Sequence, residues 1–205
     1  MRQTIRAVAV AAFLSCAGGF SVPAAAAQAD PQADYPALFA ELEKAEVIVE
    51  GAKDAKNMVY VFFDPNCLYC NYTWRALQPY EKVGLQVRWV PVAFQKSSST
   101  GRAAAIMEAR YRAAALRYNE MKFDSAKYEG GIHSLDQPKP DTLKKIEANT
   151  RLMERFGAPG TPVMVWKDAG GNIQYKAGLP KLSEIPRITG LPEQKITDPE
   201  LARFR

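Results

Sequence analysis

The chain has 205 residues, of which 24% are charged and 47% are hydrophobic, and its formal net charge at pH 7 is +5. This length suits a single domain, and the composition is ordinary for a soluble globular protein. The positive charge is small and dispersed, so we expect no binding to nucleic acid.

Residues 1–27 have the features of a secretory signal peptide. Arg2 and Arg6 give a basic start, and residues 7–14 form an apolar core too short to span a bilayer. An A-x-A cleavage site follows and ends at Ala27. A transit peptide would share the basic start but not the apolar core or the cleavage site. We therefore expect export and cleavage after Ala27.

Three cysteines are present, and the first of them, Cys16, lies inside this signal. A lipoprotein would carry its lipid on Cys16, but residues 13–15 are a poor lipobox, so we favour a cleaved signal. Cys67 and Cys70 then remain in the mature chain. An exported chain with two cysteines at this spacing fits an oxidising compartment, where disulfides form and persist.

The mature chain is predicted to begin with a polar linker and a short helix, over residues 28–57. The helix is expected at residues 37–45, and a short strand at residues 47–49. A run of β-branched and aromatic residues, 59–63, then predicts a buried strand. Asp-Pro-Asn ends this strand with turn residues, and Cys-Leu-Tyr-Cys follows at the start of a helix that reaches about Tyr80.

Strand, tight turn and Cys-x-x-Cys at a helix start is a context typical of redox chemistry. Cys67 and Cys70 would lie one turn apart on the same helix face. Free backbone N–H groups and the helix dipole both favour the thiolate of Cys67. The dipole contributes only about 0.3–1 kcal/mol, so direct N–H···S bonds must supply much of the stabilisation. We predict Cys67 as the nucleophile and Cys70 as the resolving thiol.

The cysteine pair has two other interpretations. Half a zinc site would need further ligands, yet the mature chain is predicted to have no third cysteine and the sequence has one histidine, His133. A purely structural disulfide would close so short a loop that it restrains little chain entropy. We favour the redox interpretation over both.

Residues 85–92 predict a second strand, parallel to the first in a right-handed βαβ unit. An Ala-rich helix is expected over residues 102–123, and a surface loop containing His133 over residues 124–140. A further helix is expected over residues 141–156, with Asp141 as its N-cap. The buried face of the Ala-rich helix is predicted to carry Ile106, Ala109, Ala113, Leu116 and Met121.

A Gly-rich turn at residues 167–172 predicts a β-hairpin between strands at residues 162–166 and 173–177. Pro162 stands at the first residue of the earlier strand, where the missing N–H is tolerated. A last short helix is expected at residues 183–188.

In combination, the segments VYVFFDPNCLYC, RLMERFGAPGTPVMVWKD and AGLP resemble the thioredoxin fold. Within that fold they are most similar to the catalytic domain of the periplasmic thiol:disulfide interchange proteins of the DsbG/DsbC family, and more to DsbG. The resemblance covers residues 38–191. It implies an α/β, thioredoxin-like catalytic domain at residues 58–205, with a helical insertion at about residues 95–157 between the βαβ unit and the C-terminal hairpin.

The resemblance also implies roles for three residues outside the cysteine pair. Pro162 is expected to be cis, in a loop that faces the cysteines. The backbone of Thr161 is expected to pair with the substrate chain, and Tyr69 to shape the site. No cofactor and no metal are implied.

Three features depart from the family's pattern. Only residues 28–57 precede the first strand of the domain, too few for the family's dimerisation domain, so we expect a monomer. Leu68 replaces the proline typical of DsbG, so the reduction potential cannot be transferred. Val61 stands where thioredoxin and DsbA have a carboxylate, which leaves no evident buried base for Cys70, and Asp64 is expected at the surface.

These observations lead us to expect a periplasmic thiol:disulfide oxidoreductase, most similar in role to a DsbG-like reductase or isomerase. Its expected partners are cysteine-containing periplasmic proteins and a membrane electron donor of the DsbD type. An alternative is a DsbA-like oxidase served by a partner of the DsbB type. A non-catalytic chaperone, or a metallochaperone that uses the two thiols, is a third hypothesis.

Overall fold

The computed structural model describes residues 34–205; the predicted signal peptide and the start of the predicted linker lie outside this range. The strands are β1 (Ile48–Gly51), β2 (Asn57–Phe63), β3 (Leu85–Pro91), β4 (Val163–Lys167) and β5 (Ile173–Ala177). The α-helices are α1 (Tyr35–Leu42), α2 (Leu68–Glu81), α3 (Ser99–Glu108), α4 (Arg112–Met121), α5 (Pro140–Arg155) and α6 (Ile185–Thr189). Two 3-10 helices cover Leu182–Glu184 and Pro199–Phe204.

The five strands form one mixed sheet in the order β1-β3-β2-β4-β5. β2 and β3 are parallel and are joined by α2, as the βαβ prediction requires. β4 pairs antiparallel with both β2 and β5, which confirms the predicted hairpin. β1 pairs antiparallel with the outer edge of β3. Strand β2 is therefore central, and its C-terminal end leads directly into the Cys-x-x-Cys segment.

Side chains alternate across the central strand and so build two cores. Val59, Val61 and Phe63 point to the face that α2 covers. Tyr60 and Phe62 point to the opposite face, which α1 and α5 cover. This alternation is the period-two pattern of a strand buried on both faces. The sheet thus fixes α2 rigidly, and with it the position of the cysteines.

The predicted single helix over residues 102–123 is wrong, because two helices occupy this region. The chain leaves α3 at Ala109, which has an extended backbone (φ −63°, ψ 142°), and α4 begins three residues later. α3 packs against α5, whereas α4 packs against β1, so one straight helix could not serve both. Leu116 is buried as predicted, but Met121 is 66% exposed.

One smaller prediction also needs correction. α5 begins at Pro140 with Lys139 at the N-cap position, so Asp141 lies in the first turn and is not the cap. Pro79 lies inside α2, which continues to Glu81. Among residues 34–205, no helix combines the length and the apolar character that crossing a membrane requires.

Candidate active site

The turn between β2 and α2 is organised by Asp64, which is fully buried rather than at the surface as predicted. Its Oδ1 accepts hydrogen bonds from the backbone N–H of Asn66 (2.9 Å) and from the hydroxyl of Ser99 (2.8 Å). Its Oδ2 accepts from the backbone N–H groups of Phe94 (2.8 Å) and Gln95 (3.0 Å). Four donors satisfy the buried carboxyl, which ties the turn to the Ser-rich loop after β3.

Cys67 is the N-cap residue of α2. Its sulfur accepts a hydrogen bond from the backbone N–H of Cys70 at 3.3 Å, the interaction that an N-cap oxygen would make in an ordinary helix. Both cysteines carry free thiols, and they are 5% and 1% exposed, respectively. The helix start therefore places the two sulfurs side by side, with Cys67 nearer to solvent.

The two thiols have opposite acidities. The pKa of Cys67 is lowered, first by a hydrogen bond from the Cys70 thiol and then by the Thr161 hydroxyl and the Cys70 backbone N–H, against the opposing effects of burial and of Asp64. The pKa of Cys70 is raised well above its ordinary value, first by burial and then by its interaction with Cys67. One sulfur is prepared as a thiolate and the other is kept as a thiol. The largest cause of the lowered Cys67 pKa is thus the hydrogen bond from the Cys70 thiol. The sequence instead predicted that backbone N–H groups would supply much of the stabilisation.

The loop before β4 faces this pair. The Thr161–Pro162 peptide bond is cis, as the resemblance implied. The Cys67 thiol donates to the backbone carbonyl of Thr161 at 3.4 Å. The Thr161 hydroxyl is buried and has no regular hydrogen-bond partner among residues 34–205, so it is free to donate to a thiolate. The structure therefore brings Cys67, Cys70, Thr161 and Pro162 together.

Tyr69 lies on the outer side of the pair and is 51% exposed. Its ring makes edge-to-face contacts with Tyr72 (centroids 6.1 Å apart) and with Phe204 (6.5 Å). Phe204 belongs to the C-terminal 3-10 helix, which is also held to α2 by ion pairs between Arg75 and both Asp198 and Glu200. The C-terminal segment therefore supports the exposed residue of the Cys-x-x-Cys motif, a contact that the sequence did not predict.

A buried carboxyl does lie beside the cysteine pair, although none was evident in the sequence. It belongs to Glu120 of α4, which is 5% exposed and hydrogen-bonded to the side chains of Asn71 and Asn119. Burial is the main cause that raises the pKa of Glu120 to about 8, and the negative charge of Cys67 adds to it. The only sequence signal was an acidic residue on a predicted helix, which does not specify where that residue packs.

Two further acids lie at α2: Glu50 of β1 is buried against it, and Glu81, in its last turn, is half-buried. Glu50 of β1 accepts from the Trp74 indole N–H at 2.8 Å and pairs with Arg117 at 3.0 Å. Burial, followed by the charge of Glu50, raises the pKa of Glu81 to about 8. Among residues 34–205, no cluster of three or more His, Cys, Asp or Glu side chains is arranged to hold a metal ion. The polar groups around α2 are thus a network of acids, amides and thiols.

Comparison with known proteins agrees with this geometry. The family model for a thioredoxin-like domain matches residues 44–185. DsbG of Pseudomonas aeruginosa, a thiol:disulfide interchange protein, is 29% identical over 75% of this chain and 59% of its own length. DsbC of Haemophilus influenzae, named in the same way, is 32% identical over 60% of this chain and 49% of its own length.

Solved structures agree on the fold. A linker-deletion variant of ScsC from Proteus mirabilis superposes with a TM-score of 0.59 at 20% identity, covering 76% of this chain and 80% of that one. The α/β fold prediction and the resemblance to DsbG and DsbC are therefore confirmed. The chain spans 59% of the length of this DsbG and 49% of the length of this DsbC. With a Cys-x-x-Cys pair at a helix start, a facing cis-proline loop and this family match, the chain belongs to the thioredoxin-like domain family.

Proposed function

We propose that this protein is a thiol:disulfide oxidoreductase acting on protein cysteines, in the role of a DsbG-like reductase or isomerase. The observation that carries the proposal is the asymmetry of the pair: Cys67 has a lowered pKa, while Cys70 is almost fully buried with a raised one. Such asymmetry suits a two-step exchange, because one sulfur attacks and the other waits as a thiol.

In the proposed reaction, the Cys67 thiolate attacks one sulfur of a substrate disulfide. A mixed disulfide forms, and the other substrate sulfur leaves as a thiolate. Cys70 then loses its proton and attacks the Cys67 sulfur, forming the Cys67–Cys70 disulfide and releasing the second substrate thiolate. Thr161 and Pro162 would hold the substrate chain beside the sulfurs, and Tyr69 would contact the residues next to its cysteine.

Replacing the cysteines one at a time tests this proposal. We expect Cys67→Ser to abolish reduction of a disulfide-containing protein, because the attacking sulfur is lost. Cys70→Ser should keep the first step and accumulate the mixed disulfide, which is visible as a heavier band on a non-reducing gel. A Cys67→Ser variant that exchanges at the wild-type rate would refute the site assignment.

One observation favours a second candidate, an oxidase. The interactions that lower the pKa of Cys67 stabilise the reduced form, and stabilising the reduced form makes a dithiol pair more oxidising. The redox state of the pair in cells, trapped by acid quenching and thiol alkylation, separates the two roles. A mostly reduced pair supports the reductase or isomerase, whereas a mostly oxidised pair supports the oxidase.

The proposal includes a location and partners. We propose a periplasmic protein, since the residue pattern at 1–27 predicts export and solved relatives include a periplasmic thioredoxin-like protein from Salmonella enterica. A reductase or isomerase would draw electrons from a donor of the DsbD type, and an oxidase would return them to a partner of the DsbB type. We further propose that the protein acts as a monomer, which a solution mass measurement would test.

A further inference from the structure

The side chain of Glu120 is held by amides rather than by a cation. Asn71 Nδ2 donates to its Oε2 at 2.9 Å, and Asn119 Nδ2 donates to its Oε1 at 3.0 Å. The cation one turn earlier on α4, Arg117, pairs with Glu50 instead. The two amide donors favour the carboxylate, but a buried charge without a cation is costly, and burial outweighs them, so the protonated form is favoured.

Two contacts link this carboxyl to the residues that flank the cysteine pair. Asn71, which holds Oε2, follows Cys70 directly in α2. Asn119, which holds Oε1, also donates to the backbone carbonyl of Pro65 at 3.1 Å, in the turn that leads to Cys67. A negative charge on Glu120 and one on Cys67 therefore oppose each other.

The charged and titratable groups that face Glu120 come from three elements. The segment that starts α2 contributes Cys67, β1 contributes the Glu50 carboxylate, and α4 itself contributes Arg117, whose charge is directed to Glu50. The negative charge that changes with the redox state is that of Cys67, because it disappears when the disulfide forms.

We propose that Glu120 is a positioning residue of the redox pair that holds a proton while Cys67 is a thiolate and releases it when Cys67 and Cys70 form a disulfide. This inference rests on the proposed function, since it concerns the same pair. Thioredoxin and DsbA have a carboxylate at the position that Val61 occupies in this chain. Here the buried acid would instead come from the inserted helix α4, at a different place in the fold.

The step balances in atoms and electrons. The reduced protein, with Cys67 as thiolate, Cys70 as thiol and Glu120 protonated, gives two electrons to a disulfide. The Cys67–Cys70 bond forms, the substrate S–S bond breaks, and two thiolates leave. The protons of Cys70 and Glu120 pass to solvent and replace those that the two thiolates take up. The site carries one negative charge before and after the reaction.

By linkage, an ionised Glu120 must destabilise the Cys67 thiolate in turn. As the pH rises past the pKa of Glu120, the reduced form loses stability relative to the disulfide. The wild-type protein should therefore become easier to oxidise at alkaline pH than a protein with a neutral side chain at this position. Glu120→Gln provides that neutral side chain and retains an amide oxygen as acceptor.

The test measures the equilibrium of the pair with reduced and oxidised glutathione between about pH 6 and about pH 9, on both sides of the pKa of Glu120. We expect wild type and Glu120→Gln to differ little at the acidic end. Towards the alkaline end, the equilibrium constant for oxidation should be about three- to tenfold larger in wild type, since one pKa unit of coupling is tenfold. Glu147→Gln, at an exposed acid on α5, is the matched control and should follow wild type.

Equal pH profiles for wild type and Glu120→Gln would overturn the inference. If the variant does not fold, the wild type still decides the question. Its infrared difference spectrum near pH 8 should show a protonated carboxyl in the reduced form that weakens on oxidation. No such difference would also overturn the inference.

Glutathione separates this inference from the proposed function, because no protein substrate is needed. A protein that reduces no protein disulfide but shows the pH-dependent difference refutes the function and keeps the role of Glu120. If the protein reduces protein disulfides but wild type and Glu120→Gln have equal pH profiles, the proposed function stands and the role of Glu120 is refuted.

Discussion

At the scale of single residues, the two cysteines differ because one caps α2 and the other lies inside it. Cys67 receives hydrogen bonds from the Cys70 thiol and backbone N–H, and it lies against the carbonyl of Thr161. Cys70 is packed into the core, where burial opposes its ionisation. Three residues of separation thus suffice to give two identical side chains opposite shifts in pKa.

Replacing Asp64 tests whether the fold and the acidity of Cys67 depend on the turn between β2 and α2. In Asp64→Asn, one acceptor oxygen becomes a donor that faces donors, so we expect a loss of about 2–4 kcal/mol in the free energy of unfolding. The negative charge of Asp64 raises the pKa of Cys67, so its removal should lower that pKa further. Denaturant unfolding measures the first effect, and the pH dependence of Cys67 alkylation measures the second.

Asp168→Asn is the matched control for this variant. Asp168 also accepts two backbone N–H bonds within a turn, from Gly170 and Asn172, but it is exposed and far from the cysteines along the chain. We expect it to lose less than about 1 kcal/mol, because water replaces the lost bonds. Similar losses of unfolding free energy in the two variants would show that the burial of Asp64 does not increase its contribution to stability.

The sequence predicted the residues whose signal is local. Cys67 and Cys70 stand in a short motif, and Thr161 and Pro162 stand in a second one that the resemblance interprets. Asp64 and Glu120 were missed because some of the residues that bury and bind them are distant in the chain. Ser99 is 35 residues from Asp64, and Asn71 is 49 residues from Glu120. No spacing rule within a helix or strand connects such pairs.

At the scale of elements, α4 and the loop after it pack over the turn between β2 and α2. Gly130 in this loop donates its N–H to the side-chain oxygen of Asn66 at 3.1 Å. Its backbone lies so close to Asn119 and to the carbonyl of Pro65 that a Cβ atom would collide with both. The inserted helices therefore need a glycine here in order to reach the turn.

Gly130→Ala should consequently destabilise the protein by about 1–3 kcal/mol, the usual cost of an overpacked site. The colliding atoms include a backbone carbonyl, which cannot rotate away. The unfolding midpoint in urea measures this loss. Gly160→Ala is the control, since a Cβ there would meet nothing within 4 Å. Equal midpoints for the two variants would contradict the close approach.

Elements with strong local signals were predicted to within a few residues. Each of these signals lies within the element that it specifies. They are the apolar run of β2, the turn residues before α2 and the Gly-rich turn of the hairpin. The break between α3 and α4 was missed because it falls at Ala109, with neither glycine nor proline at that position. Its cause is tertiary: the two helices pack against different partners, α5 and β1.

At the scale of the whole molecule, the inner side of α2 carries more acid than base. Glu50, Glu81 and Glu120 lie along it, and Arg117 is ion-paired with the first of them. Burial is the main cause that raises the pKa of both Glu81 and Glu120 to about 8. Both therefore bind protons in the folded protein at a pH where the unfolded chain has released them.

This difference gives the stability a predictable dependence on pH. For an acid whose folded pKa is raised from 4.5 to about 8, the stabilising contribution is complete below pH 4.5 and is lost as the pH rises to about 8. We expect the free energy of unfolding to fall across this window by about 1.4 kcal/mol per pH unit for each group, and by less for the more exposed Glu81. Urea unfolding at a series of pH values measures the slope.

The measurement is best made with both cysteines replaced by serine, so that no thiol titrates in the window. Adding Glu120→Gln should then remove about half or more of the slope, because the amide does not titrate. Glu184→Gln is a suitable comparison, since its carboxyl has a lowered pKa in the folded protein and is ionised in both states above about pH 5.5. A slope that Glu120→Gln leaves unchanged would mean that Glu120 is ionised in the folded protein, which would contradict the pKa that burial raises to about 8.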